Sequence, residues 1–296
     1  GFIMSQGYTV VSMGWDFGAA RPNDLKIKVP VVKNPPGSAS ADITGRSYEY
    51  IVVDSSRPEP GRLGNAPPLS YELSYPAATL DKAQAVLTVR QHLGDAPVRV
   101  EDAGWEYASA SAIRLLPAGT AFKRGWIYEF VYTAKDPVVA GLGLAATRDV
   151  IAFLRHAKEG NPLAGDVLHT FSYSISQPSR MLNDFQYLGF NEDEDGRRVL
   201  DGILSHTGAG NGDQINYRFT QTDRTERNRQ NHLYPEGIFP FAHPVLTDHL
   251  SGRTAGRSAS CTATRTCPLR FEVNTSNEYW VKAGSLLHTD TRGHDL

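Results

Sequence analysis

Short runs in which apolar and polar residues alternate dominate the first half of the chain. Tyr48–Val53, Tyr71–Tyr75 and Ala85–Val89 follow a period of two, and Lys33-Asn34-Pro35-Pro36-Gly37-Ser38 and Arg57-Pro58-Glu59-Pro60-Gly61 punctuate the region. Alternation over five or six residues between Pro- and Gly-rich breaks is the pattern of half-buried strands joined by turns. Residues 26–125 therefore predict an antiparallel, β-rich module. Ahead of it, Gly7–Met13 reads as a buried strand ending at Gly14-Trp15-Asp16.

The period changes after residue 125. Trp126–Tyr132 reads as a strand, and residues 143–156 place Leu144, Val150, Ile151 and Leu154 at helical spacing, with Arg155 and His156 in the last turn. Val167–Ile175 is a further strand, followed by a helix with Met181, Leu182, Phe185 and Leu188 on one face. Strand, helix, strand, helix in this order predicts a parallel α/β sheet. The reading is an α/β core formed by residues 1–25 and 126–296 and interrupted by the insertion 26–125. No internal repeat is visible.

Composition narrows the function. In 296 residues, 30 Lys and Arg face 32 Asp and Glu, leaving a net charge of −2. A nucleic-acid binder concentrates positive charge to displace counterions, so no nucleic-acid partner is expected. No membrane span is expected either, since no apolar run approaches the ~20 residues it needs. With 13 Tyr, 12 Phe and 4 Trp to bury, the chain is that of a folded protein acting on something small.

Chemistry is densest at Tyr173-Ser174-Ile175-Ser176-Gln177-Pro178-Ser179-Arg180. A strand ends at Ser176 and a helix starts at once, with Pro178 suited to a first turn, where a backbone N–H is dispensable. A serine on such a turn exposes its Oγ and aims the next N–H at a developing oxyanion. The alternative is a plain Ser-rich loop between strand and helix.

The longer context extends this. Ser176-Gln177, Arg180-Met181-Leu182, Tyr187–Arg198 and Asp201-Gly202 resemble a family of bacterial and fungal alpha/beta hydrolase-domain proteins with the pattern G-x-S-Q-S-G-R-x-L-R, then Y-x-G-F-N-x-D-E-x-G-R. The likeness continues in Gly125–Glu129, Gly141–Ala146, Asn231–Pro235, Phe239-Pro240-Phe241, Cys261, Cys267-Pro268 and Asn274–Trp280, and is firmest over 125–296. At the elbow both family glycines are serines here, Ser174 and Ser179, and the serine between them is Pro178. The resemblance implies an α/β-hydrolase-like, mainly parallel sheet and a serine hydrolase acting on a small-molecule carboxylic ester, without cofactor or metal. The other reading is a non-catalytic or degenerate binding protein of the same fold, and a nicotinamide-dependent oxidoreductase stands third.

A hydrolase needs more than Ser176. The oxyanion donors expected are the backbone N–H groups of Gln177 and of Trp15, just past the first strand, although Trp15 also reads as a core aromatic. In the order Ser, Asp/Glu, His, the acid follows a later strand. Leu269–Asn274 is such a strand, so Glu278 is the candidate acid and Asp290 the reserve, with helix capping as the other use of Glu278. His232, Tyr279 and Trp280 are candidate pocket residues. His288 and His294 follow Glu278 with no strand to carry them back, so the expected base comes from residues outside 1–296 or from another chain. The same argument makes the chain the middle of a longer hydrolase, lacking N- and C-terminal elements.

Other signals weigh less. Gly141-x-Gly143-x-x-Ala146 matches a dinucleotide fingerprint, but small residues there more often serve helix–sheet packing. Asn191-x-Asp193-x-Asp195-Gly196 imitates the start of a calcium loop, yet its twelfth position is Gly202 where a bidentate Glu is required. Thr222–Arg229 reads as an exposed loop, or part of a lid. Cys261 and Cys267 either stay free or close a small ring. The expectation is a disulfide, and hence export to a periplasmic or extracellular space.

Overall fold

Alternation along the first half of the chain is realised as antiparallel strands. A computed structural model describes residues 1–19, 25–53, 68–213, 215–222 and 237–292. In chain order the strands are β1 (Thr44–Val52), β2 (Ser70–Glu72), β3 (Val86–Arg90), β4 (Val98–Arg99), β5 (Trp105–Ser109), β6 (Ala112–Leu115), β7 (Ile127–Lys135), β8 (Phe171–Ile175), β9 (Gly202–His206), β10 (Leu246–Thr247), β11 (Thr254–Ala255) and β12 (Leu269–Val273). The α-helices are α1 (Phe2–Ser5), α2 (Leu142–His156), α3 (Gln177–Tyr187), α4 (Ala259–Thr264), α5 (Ser276–Val281) and α6 (Gly284–Leu287). Two compact units divide the chain. One comprises Gly1–Trp15, Gly141–Ile215 and Tyr234–Leu296, the other Asp16–Ala140 and Asn216–Leu233.

The second unit is antiparallel throughout, with sheets ordered β1-β7-β3-β4 and β2-β6-β5. Its core is aromatic: Trp105, Phe122, Phe130 and Tyr132 are almost wholly buried, each large side chain contributing roughly 1.5–3 kcal/mol of transfer free energy. Trp105 and Phe130 meet edge to face at 5.2 Å. Buried Glu49 is satisfied by the N–H and hydroxyl of Ser74 and by the Tyr132 hydroxyl. Tyr132 loses its solvent there, and burial drives its pKa well above the ordinary tyrosine value.

Two expectations are corrected here. The strand beginning near residue 126, expected to open the parallel core, is the antiparallel partner of both β1 and β3, with Phe130 facing Glu49 and Leu87. Its nine residues are buried along most of their length, so their apolar pattern names a central strand but not its sheet. Gly7–Met13 forms no strand, and Tyr8, Val10 and Val11 are exposed. A period of two states what a segment would bury beside a partner, and that partner is not encoded locally.

The first unit holds the parallel sheet, ordered β12-β9-β8, with Phe171, Gly202 and Leu269 in register. Among the described residues the expected parallel arrangement is thus present in three strands, and the other sheets are antiparallel. The faces of this sheet are unlike. Ser174, Ile203 and Ser205 are buried on one, whereas Phe171 (60% exposed), Tyr173, Ile175, Leu204, Leu269, Phe271 (68% exposed) and Val273 lie open on the other. Among the described residues, no helix is long and apolar enough to cross a membrane.

Candidate active site

The turn between β8 and α3 is sharp and strained. Ser176 follows the last residue of β8, serves as N-cap of α3 and sits at φ 64°, ψ −118°. A residue with a Cβ at positive φ costs on the order of 1–3 kcal/mol, so the surroundings impose it. They do so through the backbone: the Ser176 N–H donates to the His206 carbonyl at 2.8 Å, and its own carbonyl accepts from the N–H of Ser179 at 3.0 Å. The Ser176 side chain makes no capping bond and is half-buried. Its Oγ therefore stands at the positive end of an eleven-residue helix. Pro178 lies in the first turn, where its missing N–H leaves nothing unsatisfied.

Close packing makes this geometry possible. A Cβ on Gly208, in the loop after β9, would lie 2.5 Å from the Ser179 Cβ and 3.0 Å from the Ser205 Oγ. Ser174 and Ser179, where the resembled pattern has glycines, are both buried, and their hydroxyls share a hydrogen bond of 2.8 Å.

The other expected site residues fall as follows. Gln177 is the first residue of α3, adjoining Ser176. Trp15 packs through its carbonyl against the start of α2, where a Cβ on Gly143 would come within 2.3 Å of the Trp15 oxygen. Gly143 of the nucleotide-like fingerprint thus serves close packing. Glu278 is the third residue of α5 and completes a capping box with Thr275. Burial acts to raise its carboxyl, but the bonds from Thr275 and Asn277 outweigh it and hold the pKa below the usual range. Asp290 accepts from the backbone and guanidinium of Arg292. Tyr279 contacts Trp280 edge to face at 4.8 Å, and Trp280 is exposed. His288 Nε2 lies 3.0 Å from the Asn274 amide, and its ring stacks on Tyr279. Asn274 also accepts from the Ala209 N–H, linking this group to the loop after β9. His232, His294 and most of the loop 222–229 lie outside the described residues.

Cys261 and Cys267 are disulfide-bonded, tying α4 to the approach of β12. In the calcium-like turn, Asp193 is occupied by the N–H groups of Asp195 and Arg197 and by the Arg197 guanidinium. Among the described residues, no group of three or more His, Cys, Asp or Glu is placed to hold a metal ion.

A strand, a strained serine and a helix in direct succession, on a parallel sheet, are the setting of a nucleophile elbow. The family model described as alpha/beta hydrolase domain matches residues 94–295. The chain belongs to the alpha/beta hydrolase domain family. Within this alpha/beta hydrolase domain fall Ser176, Gln177, Glu278 and Asp290, while Trp15 precedes the matched span. A search of curated proteins and a search of solved structures each found no match.

Under the elbow lies a polar cluster the sequence did not announce. Arg270 Nε donates to Glu272 Oε1 at 2.8 Å, and His243 Nε2 stands 3.5 Å from the same oxygen, a polar contact longer than a good hydrogen bond. Burial acts to raise the Glu272 carboxyl, but the His243 contact and the Arg270 charge outweigh it and hold the pKa at about 2. Burial lowers His243 below the ordinary histidine value, and lowers Arg257 to about 10. The available signal was the spacing of Arg270 and Glu272, two charges on one face of a strand.

Proposed function

We propose that this protein is a serine hydrolase of carboxylic esters in which Ser176 is the nucleophile. The observation that carries the reading is the positive-φ backbone of Ser176 at the junction of β8 and α3. The same reading extends the resemblance to proteins with a G-x-S-Q-S-G-R elbow, with the paired hydroxyls of Ser174 and Ser179 standing in the glycine positions.

In the proposed reaction, Ser176 Oγ bonds to the acyl carbon while its proton passes to a histidine base. The N–H groups of Gln177 and Trp15 and the N-terminus of α3 stabilise the oxyanion. The C–O bond to the leaving alcohol then breaks, and the alcohol takes the proton. Water repeats the sequence on the acyl-enzyme and frees Ser176. Glu278 is the proposed orienting acid, with Asp290 in reserve. The base stays as expected from the sequence, a histidine from residues outside 1–296 or from another chain; His288 is engaged by Asn274 and Tyr279, and His243 by Glu272. The disulfide accords with the proposal that the protein is exported.

Labelling with a fluorophosphonate probe tests the nucleophile. Wild type should label and Ser176→Ala should not; equal labelling would show the assignment to be wrong. The second reading is a non-catalytic binding protein, and the engagement of Glu278 in a capping box favours it. Hydrolysis of a short p-nitrophenyl ester above the buffer rate, abolished by Ser176→Ala, would exclude it.

A further inference from the structure

Helices on parallel sheets are ordinarily held by apolar packing. Here the covered side of the sheet is largely polar. Ser172, Ile203 and Arg270 stand in one register row across β8, β9 and β12, and Ser174, Ser205 and Glu272 in the next row on that face. Helix α3 answers with Ser179, Asn183 and Gln186, spaced four and three residues apart and so on one stripe, all at most 1% exposed.

The stripe is bonded along its length. Ser179 meets Ser174 and also donates to the His206 carbonyl at 3.3 Å. The Asn183 amide donates to the carbonyls of Ala209 at 3.0 Å and Asn211 at 3.1 Å, and the Gln186 amide donates to Ser258 Oγ at 2.8 Å. The two amide oxygens that remain point at one group: Arg270 donates to Asn183 Oδ1 at 2.8 Å and to Gln186 Oε1 at 3.3 Å. The same guanidinium is anchored within its own strand by Glu272.

We propose that Arg270 is a positioning residue for Ser176, its guanidinium fork setting the rotation and axial position of α3 on the sheet. Apolar contacts resist separation of helix and sheet but resist sliding only weakly. Hydrogen bonds to two amides one turn apart resist both, because each is directional. Ser176 caps the same helix, so a shift of α3 moves Oγ and the Gln177 N–H together. Only a planar donor with several N–H groups reaches both amides while keeping Glu272, which a lysine ammonium cannot do in one geometry. Apolar residues could stabilise a helix here equally well, so the specific contribution of the seam is geometric.

The consequence for activity rests on the serine-hydrolase reading; the consequence for α3 does not. Arg270→Lys keeps the charge beside Glu272 and removes the fork. The first measurement is amide hydrogen exchange over residues 177–187, expected to rise about tenfold as the helix loosens. The second is fluorophosphonate labelling, expected to slow about tenfold to a hundredfold at saturating probe with half-saturation unchanged, since a misplacement near 1 Å costs about a hundredfold. Unchanged exchange overturns the proposal whether or not the protein labels. Faster exchange with undiminished labelling of a wild-type-reactive Ser176 also overturns it. A wild type that does not label defeats the hydrolase reading alone, and exchange then decides the role of Arg270. Should Arg270→Lys fail to fold, Arg270→Met with Glu272→Leu fills the same space without polar groups, and the same two measurements apply.

Discussion

The hydroxyls of Ser174 and Ser179 lie 2.8 Å apart, buried between the last residues of strand β8 and the first turn of α3. Each supplies the partner the other needs. Removing one leaves a buried hydroxyl short of a bond, at about 1–3 kcal/mol, whereas removing both deletes the need with the bond. A double-mutant cycle of Ser174→Ala and Ser179→Ala should therefore show a coupling of about 1 kcal/mol, the double variant losing less than the sum of the singles. Urea melts check this, and additive losses would show that the hydroxyls are independent.

Backbone strain at Ser176 separates its conformational role from its chemical one. Ser176→Gly relieves the positive φ, while Ser176→Ala keeps a Cβ there. The glycine variant should be more stable than the alanine variant by about 1 kcal/mol, and neither should react with a fluorophosphonate. Thermal melts of the two, side by side, give the comparison.

Acidification should destabilise the first unit in two stages. His243 is held below its ordinary value of 6.5 by burial, so the stability tied to its neutral ring is present above pH 6.5 and lost as pH falls through that value towards the folded one. Glu272, with a folded pKa of about 2 against an ordinary 4.5, loses its contribution between 4.5 and 2, a gap worth roughly 3 kcal/mol. Asp193 and Asp201 are also held low and steepen the second stage. In a melting-temperature profile, His243→Gln should flatten the limb just below pH 6.5 and Glu272→Gln the limb below pH 4.5.

The open face of the parallel sheet makes a contrast between neighbouring positions. Phe271→Lys, on the exposed side of β12, should change stability by no more than about 0.5 kcal/mol, while Ile203→Lys, on the covered side of β9, should prevent folding. A hydrophobic dye should brighten on the wild type and less on a protein carrying Phe171→Lys and Phe271→Lys. Equal destabilisation by Phe271→Lys and Ile203→Lys would mean the face is covered in solution.

Much of the local structure is written in the sequence. The helix from Leu142, the strand and helix around Ser176, the strand at Leu269 and the β-rich run before residue 126 are each stated by the spacing of apolar positions and by Pro, Gly and Ser at the ends. These signals are local, because a period of 2 or 3.6 and a turn residue act within a few neighbours. What tertiary structure alone decided is the set of partners: that β7 lies between β1 and β3, that Gly7–Met13 pairs with no strand among the described residues, and that Asn183 and Gln186 meet Arg270 some 85 residues away. A strand's alternation marks its two faces without saying which will be covered, and Arg270 and Glu272 two positions apart share a face without naming the side chains they will meet. Those choices depend on hydrogen bonds and packing between segments far apart in the chain, and they exist only once the fold has brought the segments together.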